Sequence, residues 1–422
     1  PFWRDLEHIV NNFKIRGSWG ELGNCNTKAF YPFYQTMPTG VENSGWLING
    51  KKPNTASSPG IVSAEMTWET VRSWNIGFDF GLLNNRLTGS FDYFVRNTLD
   101  MIGPAPQLPA TLGATVPKVN NADMKAWGFE VEVSWRDRIN DFNYGVKFVL
   151  SDDQRKVTRY PNEELNRNQW YAGRMDGLVW GYETVGIAKT DAEMEAHLAS
   201  LPNGGQSQLG SKWAAGDIMY KDLNGDGKIS SGDGTLNDLG DLKVVANTQL
   251  RFKYGLTLDA SWKGFDFSAF FQGVGKRDVV VGGPYFWGAN GQGMWQAAAF
   301  KDHMDYFRPE DTESVFGPNV DAYYPRVIFG GGSSEGGKNT LTQSRYVQNG
   351  AYIRLKNLQL GYTLPSTITK KFAVNSLRVY VSGDNLWTGT KMRVFDPEVL
   401  GSTGDAGKAY PLARVWSVGL NV

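Results

Sequence analysis

The sequence predicts an all-β fold, a transmembrane antiparallel β-barrel, from three observations. Ten segments alternate strictly between apolar and polar residues, and a period of two is typical of a strand with one apolar and one polar face. The segments are about ten residues or longer, which is enough for a strand to cross a bilayer at a tilt. Short turns and long loops also take turns along the chain, as they do in outer-membrane barrels.

The first long hairpin shows the pattern most clearly. Apolar residues at every second position from Trp74 to Leu82 alternate with Asn, Gly and Asp, and Asn84-Asn85 then marks a tight turn. The second strand of the hairpin, from Leu87, alternates in the same way. The ten predicted strands are 12–21, 69–82, 86–98, 126–137, 141–152, 248–261, 264–275, 347–364, 375–387 and 411–422.

The connections between these strands differ in length by position. Short turns, expected on the periplasmic side, and long loops, expected outside the cell, alternate without exception. The short ones are at 84–85, 138–140, 262–264 and 365–375, and the long ones are 27–67, 99–125, 153–247, 276–346 and 388–410. The segment Tyr352 to Tyr362 changes phase midway, which predicts a β-bulge near Lys356-Asn357.

Composition excludes several classes of protein. The pattern runs from Phe13 to Val422 without a break, so residues 1–422 are expected to be one part of a single barrel domain. No apolar run approaches the 18 or so residues of a spanning helix. Lys plus Arg and Asp plus Glu both number 43, so no charge excess favours nucleic acid as a partner. The residues Pro1 to Asp5 do not resemble a signal peptide, and we expect a longer precursor.

The sequence carries no recognisable catalytic motif, and we expect no enzyme. His8, His197 and His303 lie far apart, and neither a G-x-S-x-G elbow nor a phosphate-binding G-x-x-x-x-G-K loop occurs. Glu130 and Glu132 share the polar face of one strand, where a carboxylate pair could serve acid–base chemistry. Their position favours channel lining instead.

One loop has the spacing of a calcium site. Ca²⁺ prefers six to eight oxygen ligands, and an EF-hand-type loop supplies them from positions 1, 3, 5, 7, 9 and 12, with Gly at position 6. In the stretch from 222 to 233, Gly227 is at the turn, Ser230 would act through a water, and Asp233 stands where Glu is usual. The predicted metal ligands are Asp222, Asn224, Asp226, the carbonyl of Lys228, and Asp233. A plain Asn/Asp/Gly turn that binds no cation is the alternative.

The long loops are rich in aromatic residues. Flat aromatic faces stack on sugar rings and also anchor protein contacts. The predicted substrate-binding residues are Trp170, Trp180, Trp213, Trp287 and Trp295. For any one of them, packing within a loop or a place in the membrane girdle is the competing interpretation.

Short motifs spread over the whole chain resemble the C-terminal half of SusC/RagA-type TonB-dependent transporters. The matching segments, in the family's order, are 13–20 with Gly23-Asn24, 68–70, 75–79, 85–87, 92–98, 216–218, 222–227, 352–358, 361–365, 384–386 and 396–398. The resemblance implies ten C-terminal strands of a 22-stranded barrel in a Gram-negative outer membrane. The remaining strands, the plug domain, its TonB box and the signal peptide would belong to the same precursor.

The resemblance also implies partners and cargo. A SusD-like surface lipoprotein would cap the barrel, TonB would act through the plug, and oligosaccharides or oligopeptides would be imported. Two other functions stay open. A secreted carbohydrate-binding β protein would pack its apolar strand faces against a second sheet, and a passive porin-like barrel would need neither energy nor partner.

Overall fold

A computed structural model describes residues 9–25, 34–41, 47–56, 59–63, 66–105, 111, 116–290, 299–328, 334–400 and 410–422. Ten strands form one antiparallel sheet, each paired with its neighbours in chain order. We call this sheet the wall. Its strands are Val10–Asn24, Glu69–Leu82, Leu87–Ile102, Asn120–Ile139, Phe142–Arg159, Arg251–Trp262, Phe265–Lys276, Tyr352–Thr363, Arg378–Thr390 and Val415–Asn421. The ten predicted strands and their up-and-down order are confirmed.

The two faces of the wall differ as the alternation predicts. Ile76 is 53% exposed although it lies in the middle of its strand, and Leu360 and Val418 are 55% and 77% exposed on the same outer face. The other described sheets have two strands each, so no second large sheet in the described chain covers this apolar face. It has the polarity of a surface that contacts lipid.

The predicted bulge is present. Leu355 pairs with Trp387, whereas Asn357 pairs with Asp384, so the register shifts at Lys356. The same shift appears on the other side, where the adjacent Phe270 and Phe271 face Asn357 and Leu355. Lys356 lies on the polar face, where it pairs with Glu398. The bulge after it brings Leu358 and Leu360 back to the apolar face that Leu355 shares.

One predicted strand was wrong in extent. The segment 347–364 is two strands, since Val347–Asn349 leaves the wall and pairs with Asp278–Val280. The break lies at Gly350, whose N–H donates to the carbonyl of Arg277. The wall strand proper begins at Tyr352.

Two connections predicted as plain loops, 153–247 and 276–346, contain ordered elements. We call the described residues of 160–250 and 277–351 the cap. Its elements are Leu178–Tyr182, Thr184–Ile187, Asp191–Ala199, Ile218–Tyr220, Leu242–Asn247, Asp278–Val280, Pro284–Trp287, Lys301–Met304, Ser334–Gly337, Ser344–Tyr346 and Val347–Asn349. Outside the cap lie the small hairpin Thr39–Val41 with Asn54–Ala56, and the turn segments Ser366–Thr369 and Lys370–Phe372.

The cap has its own hydrophobic core. Four residues of the cap are fully buried. Ile218, Tyr220 and Ile229 come from the loop 153–247, and Phe286 comes from the loop 276–346. They belong to one cluster, which Leu400 joins from the last long connection. The core of the cap is therefore packed from three separate stretches of chain, the two that form the cap and the one that holds Leu400.

The longest helix of the described residues, Asp191–Ala199, lies in the cap. Thr190 caps its start, accepting the N–H of Glu193 at 3.1 Å, while the Glu193 carboxylate accepts the N–H of Lys189 at 2.6 Å. Its only buried residue, Met194, packs with Ala188 and Met219. Among the described helices, none has the length and apolar character needed to cross a membrane.

Candidate functional site

Charged side chains on the polar inner face of the wall pair across strands. The Arg16 guanidinium donates to both oxygens of Asp79 at 2.9 Å and to both oxygens of Asp92 at 3.0 and 2.8 Å. Arg16 lies opposite Gly77, which in turn lies opposite Asp92. A Cβ at Gly77 would come 2.4 Å from an Asp92 carboxylate oxygen. The glycine lets one arginine reach across a whole strand.

The same device recurs at the other end of the sheet. Arg378 donates to Asp266 at 2.9 Å across Gly361, which pairs with both Asp266 and Tyr380. A Cβ at Gly361 would lie 2.5 Å from the guanidinium and from the carboxylate. Both bridges put a bidentate ion pair on the inner face, where water is available to the remaining donors.

Two large hollows open on the inner face. One has a volume of about 980 Å³ and the other about 880 Å³. Asp153, Arg155 and Lys253 line both hollows, and Asp153 pairs with Lys253 at 2.8 Å and with Arg155 at 3.8 Å. Hollows of this size, lined by apolar and a few charged groups, are suited to a small or oligomeric ligand.

A short segment of the last long connection is tied to the rim of the larger hollow. We call residues 395–400 the strap. Arg354 contacts Asp396 at 2.6 Å and Glu398 at 2.8 Å, and Lys356 contacts Glu398 at 2.9 Å. Arg354 and Lys356 lie two positions apart on one strand, so both cations point to the same face. The strap thus links the wall to the cap, whose core holds Leu400.

A buried charge network joins the two long loops of the cap. Lys338 and Asp217 are both fully buried and lie 2.9 Å apart, and Arg326 donates to both oxygens of Asp217 at 2.7 and 2.8 Å. The Lys338 ammonium lies 4.5 Å from the centre of the Trp213 ring. Hydrogen bonds from Ser211 and the charge of Lys338 lower the pKa of Glu335 to about 2. Buried groups this well paired fix one arrangement of the loops.

The predicted aromatic residues fall into different surroundings. Trp287 is 6% exposed, and its ring packs against Phe286, Tyr324 and Tyr346 in the cap core. Trp213 lies under Lys338 and donates its indole N–H to Gly210. The rings of both are used in packing.

The other three predicted tryptophans lie outside this core packing. Trp170 is 38% exposed and packs its ring 5.7 Å from that of Tyr160. Trp180 lies on Leu178–Tyr182, and its buried indole N–H has no hydrogen-bond partner. Trp295 lies outside the described residues. Substrate contact by all five predicted tryptophans stays a prediction.

The predicted calcium loop is tightly turned. Asp222 accepts the N–H groups of Gly225 at 2.6 Å and Gly227 at 2.9 Å, and Gly227 has a φ of 78°. Asn224 accepts the N–H of Asp226, and Asp226 accepts that of Lys228.

The last predicted ligand of this loop behaves differently. Asp233 accepts hydrogen bonds from the hydroxyl and the N–H of Thr235, and these hydrogen bonds lower its pKa. The buried Asp241 instead closes the loop, accepting N–H groups of Leu223 and Ser230, and burial raises its pKa. No group of three or more His, Cys, Asp or Glu side chains poised to hold a metal occurs in the described part of the chain.

Sequence reasoning missed the residues around the strap. In the sequence these residues stand only within the motifs that resemble the family: Arg354, Lys356, Asp396 and Glu398. A signal was present, because Arg-x-Lys and Asp-x-Glu have the same spacing and opposite charge. Arg277 gave no signal, since its importance depends on burial.

Comparison with known proteins agrees with this architecture. Residues 3–386 match the family model described as TonB dependent receptor-like, beta-barrel. TonB-dependent receptor P3 of Formosa agariphila is 27% identical over 98% of this chain and 40% of its own length. TonB-dependent receptor SusC of Bacteroides thetaiotaomicron is 23% identical over 100% of this chain and 38% of its own. The chain thus spans about 40% of the length of the curated relatives it matches.

A solved structure shows the same fold. The structure of the RagAB peptide transporter superposes with a TM-score of 0.69 and 21% identity, over 98% of this chain and 41% of that one. The family comprises transporters and receptors, which are not a class of enzymes. This chain therefore belongs to the TonB-dependent receptor-like β-barrel family of Gram-negative outer membranes.

Proposed function

We propose that this chain supplies wall and cap of an outer-membrane importer of the SusC/RagA type, which takes up oligosaccharides or oligopeptides. The observation that carries the proposal is the combination of an exposed apolar outer face with a charged inner face holding hollows of about 980 and 880 Å³. A surface of this kind separates lipid from a wet passage. We further infer that the chain binds and passes its cargo without catalysing a reaction on it.

The proposal includes partners that lie outside this chain. The edge strands Val10–Asn24 and Val415–Asn421 each pair with one described neighbour, and unpaired backbone is costly in lipid. We propose that further strands of the same protein pair with these edges. A SusD-like surface lipoprotein would dock on the cap, and TonB would supply energy through a plug.

The test uses the full-length protein purified in detergent from its own outer membrane. We expect a denatured mass of about twice that of this chain or more, a plug sequence, and a co-purifying lipoprotein. Uptake of the cargo by cells should stop when TonB is deleted. Uptake that persists without TonB and without a lipoprotein would instead identify a passive porin-like barrel.

We also propose that the loop from Asp222 to Asp233 binds Ca²⁺ and stiffens the cap. Support comes from the turn at Gly227 and from the hydrogen bonds that hold the oxygens of Asp222, Asn224 and Asp226 in one tight loop. Lys228 would contribute its carbonyl and Asp233 its carboxylate. Titration of the full-length protein with Ca²⁺ should give one site that Asp226→Ala removes and Asp238→Ala keeps. Equal binding by both variants would refute the site.

A further inference from the structure

Arg277 is a buried arginine that forms no ion pair with a carboxylate of the described residues. Arg277 is 6% exposed and donates to two backbone carbonyls of the strap, Pro397 at 3.1 Å and Leu400 at 2.7 Å. Its Nε–H is buried without a hydrogen-bond partner. A buried cation is costly unless an anion compensates it. The described residues supply carbonyl dipoles to Arg277, but no counter-charge.

The two acids of the strap are already used by other cations. Asp396 pairs with Arg354, and Glu398 pairs with both Arg354 and Lys356. Together with Arg277, three cations therefore meet two carboxylates around the strap. The cluster keeps one positive charge in excess.

This excess charge borders the larger hollow. Arg277, Tyr352 and Leu400 line the hollow of about 980 Å³. Arg155 and Lys253 line it too, and both pair with Asp153. With Asp176 and Glu398 the lining holds three carboxylates and three cations, and Arg277 is the cation that forms no ion pair with a described residue.

We propose that this hollow binds a carboxylate group of the imported oligomer, with Arg277 as the fixed cation. The inference rests on the proposed import function and adds that the cargo is acidic. A guanidinium has five N–H donors and binds carboxylates with charge-assisted hydrogen bonds. Arg277 uses two of these donors on the strap. The carboxylate comes from an acidic sugar or from an acidic peptide side chain.

A clamp for the strap alone would not need this residue. Hydrogen bonds to two carbonyls require N–H donors but no charge, and a neutral side chain avoids the cost of burying a cation. Glutamine at position 277 removes the charge, and its amide is too short to reach both strap carbonyls. Lysine keeps the charge but lacks the paired guanidinium donors. Comparison of the two substitutions therefore separates the two roles.

The experiment measures binding to the full-length protein in detergent by calorimetry at low salt. The probes are two matched pairs: a galacturonic acid hexamer with a glucose hexamer, and a blocked glutamate tetrapeptide with a blocked glutamine tetrapeptide. We expect one acidic probe to bind about tenfold or more tightly than its neutral match. The pair that shows the preference identifies the source of the carboxylate. No preference in either pair would overturn the proposal.

Variants assign the preference to Arg277. Arg277→Gln should abolish it, whereas Arg136→Gln, at an exposed position near a short turn, should leave it intact. Glu398→Gln removes a carboxylate that lines the hollow and should strengthen acidic binding several-fold. If Arg277→Gln fails to fold, an unchanged preference in Glu398→Gln still overturns the proposal. If Arg277→Gln folds and keeps the preference for the acidic probe, that result overturns the proposal directly.

The outcome is independent of the import test. TonB-dependent uptake without an acidic preference would leave the proposed function in place and remove only the carboxylate site. A preference for the acidic probe together with uptake that does not need TonB would support the carboxylate site and refute TonB-dependent import.

Discussion

The wall and the cap are built from one chain by opposite rules. In the wall, large apolar residues such as Ile76 and Leu360 are more than half exposed, and the charges face inward. In the cap, Phe286 and Tyr220 are fully buried around a core, as in a water-soluble domain. Exposure alone therefore does not tell whether a residue is well placed. An exposed apolar side chain is well placed where it contacts lipid and poorly placed where it contacts water.

The sharpest test of this difference is in the buried ions of the cap. Asp217→Ala leaves Lys338 and Arg326 without their shared carboxylate, and removing one partner of a buried pair costs about 3–5 kcal/mol. Asp321→Ala removes the partner of Lys189 in an exposed pair, and we expect little change in stability because water screens such a pair. Hydrogen exchange of cap amides in the full-length protein measures both. Equal protection in the two variants would contradict the role of the network.

Two equally exposed apolar residues should respond differently to a charge. Ile76 in the wall is 53% exposed and Val185 in the cap is 59% exposed. Ile76→Arg places the charge in lipid near mid-strand and should destabilise the protein by about 2–4 kcal/mol. Val185→Arg places it in water, where we expect a change within about 0.5 kcal/mol. Unfolding in lipid bilayers tests this pair, and similar losses in both would place Ile76 outside the membrane.

The strand-crossing arginines can be tested with one methyl group. Gly77→Ala puts a Cβ against Asp92 and against the carbonyl of Phe91, at 2.4 and 2.7 Å, and should cost about 1–3 kcal/mol as overpacking does. Gly17→Ala, in the adjacent strand, meets no atom within 4 Å and serves as the control. Thermal unfolding in detergent compares them. No difference would mean that Arg16 does not need the glycine.

The smallest expected effect is a pH dependence in the cap. The folded pKa of Glu335 is about 2, below its ordinary 4.5, because Ser211 and Lys338 favour the charged form. Its contribution is therefore complete above about pH 4.5 and is lost as the pH falls towards 2. Exchange of the Ser211 amide should accelerate over that range in the wild type, and Glu335→Gln should remove the dependence. Glu313→Gln, at an exposed position, should keep it.

The sequence predicted the wall well because its rule is local. Alternation at period two located all ten strands and the bulge at Lys356, since each depends on residues next to one another. Strand ends were less accurate: Phe142–Arg159 extends beyond the predicted 152, because the polar run from Asp152 hides the alternation while its backbone still pairs.

The cap could not be predicted in this way. Tyr220 donates its hydroxyl to the carbonyl of Lys338, 118 positions away, and no periodic pattern marks such a pair. The helix Asp191–Ala199 buries one residue, so it lacks the apolar stripe by which helices are found. The charge excess at Arg277 likewise depends on three distant segments that meet only in the fold.

The shared core of the cap limits how such proteins can be recombined. Exchanging a single long loop with that of a relative would strip one half of a core and leave Asp217 or Lys338 without its partner. A viable chimaera must carry both long loops and the residues around Leu400 together. New cargo preferences are thus more accessible through point changes on the inner face, where Arg155 and Lys253 remain partly exposed, than through loop grafting.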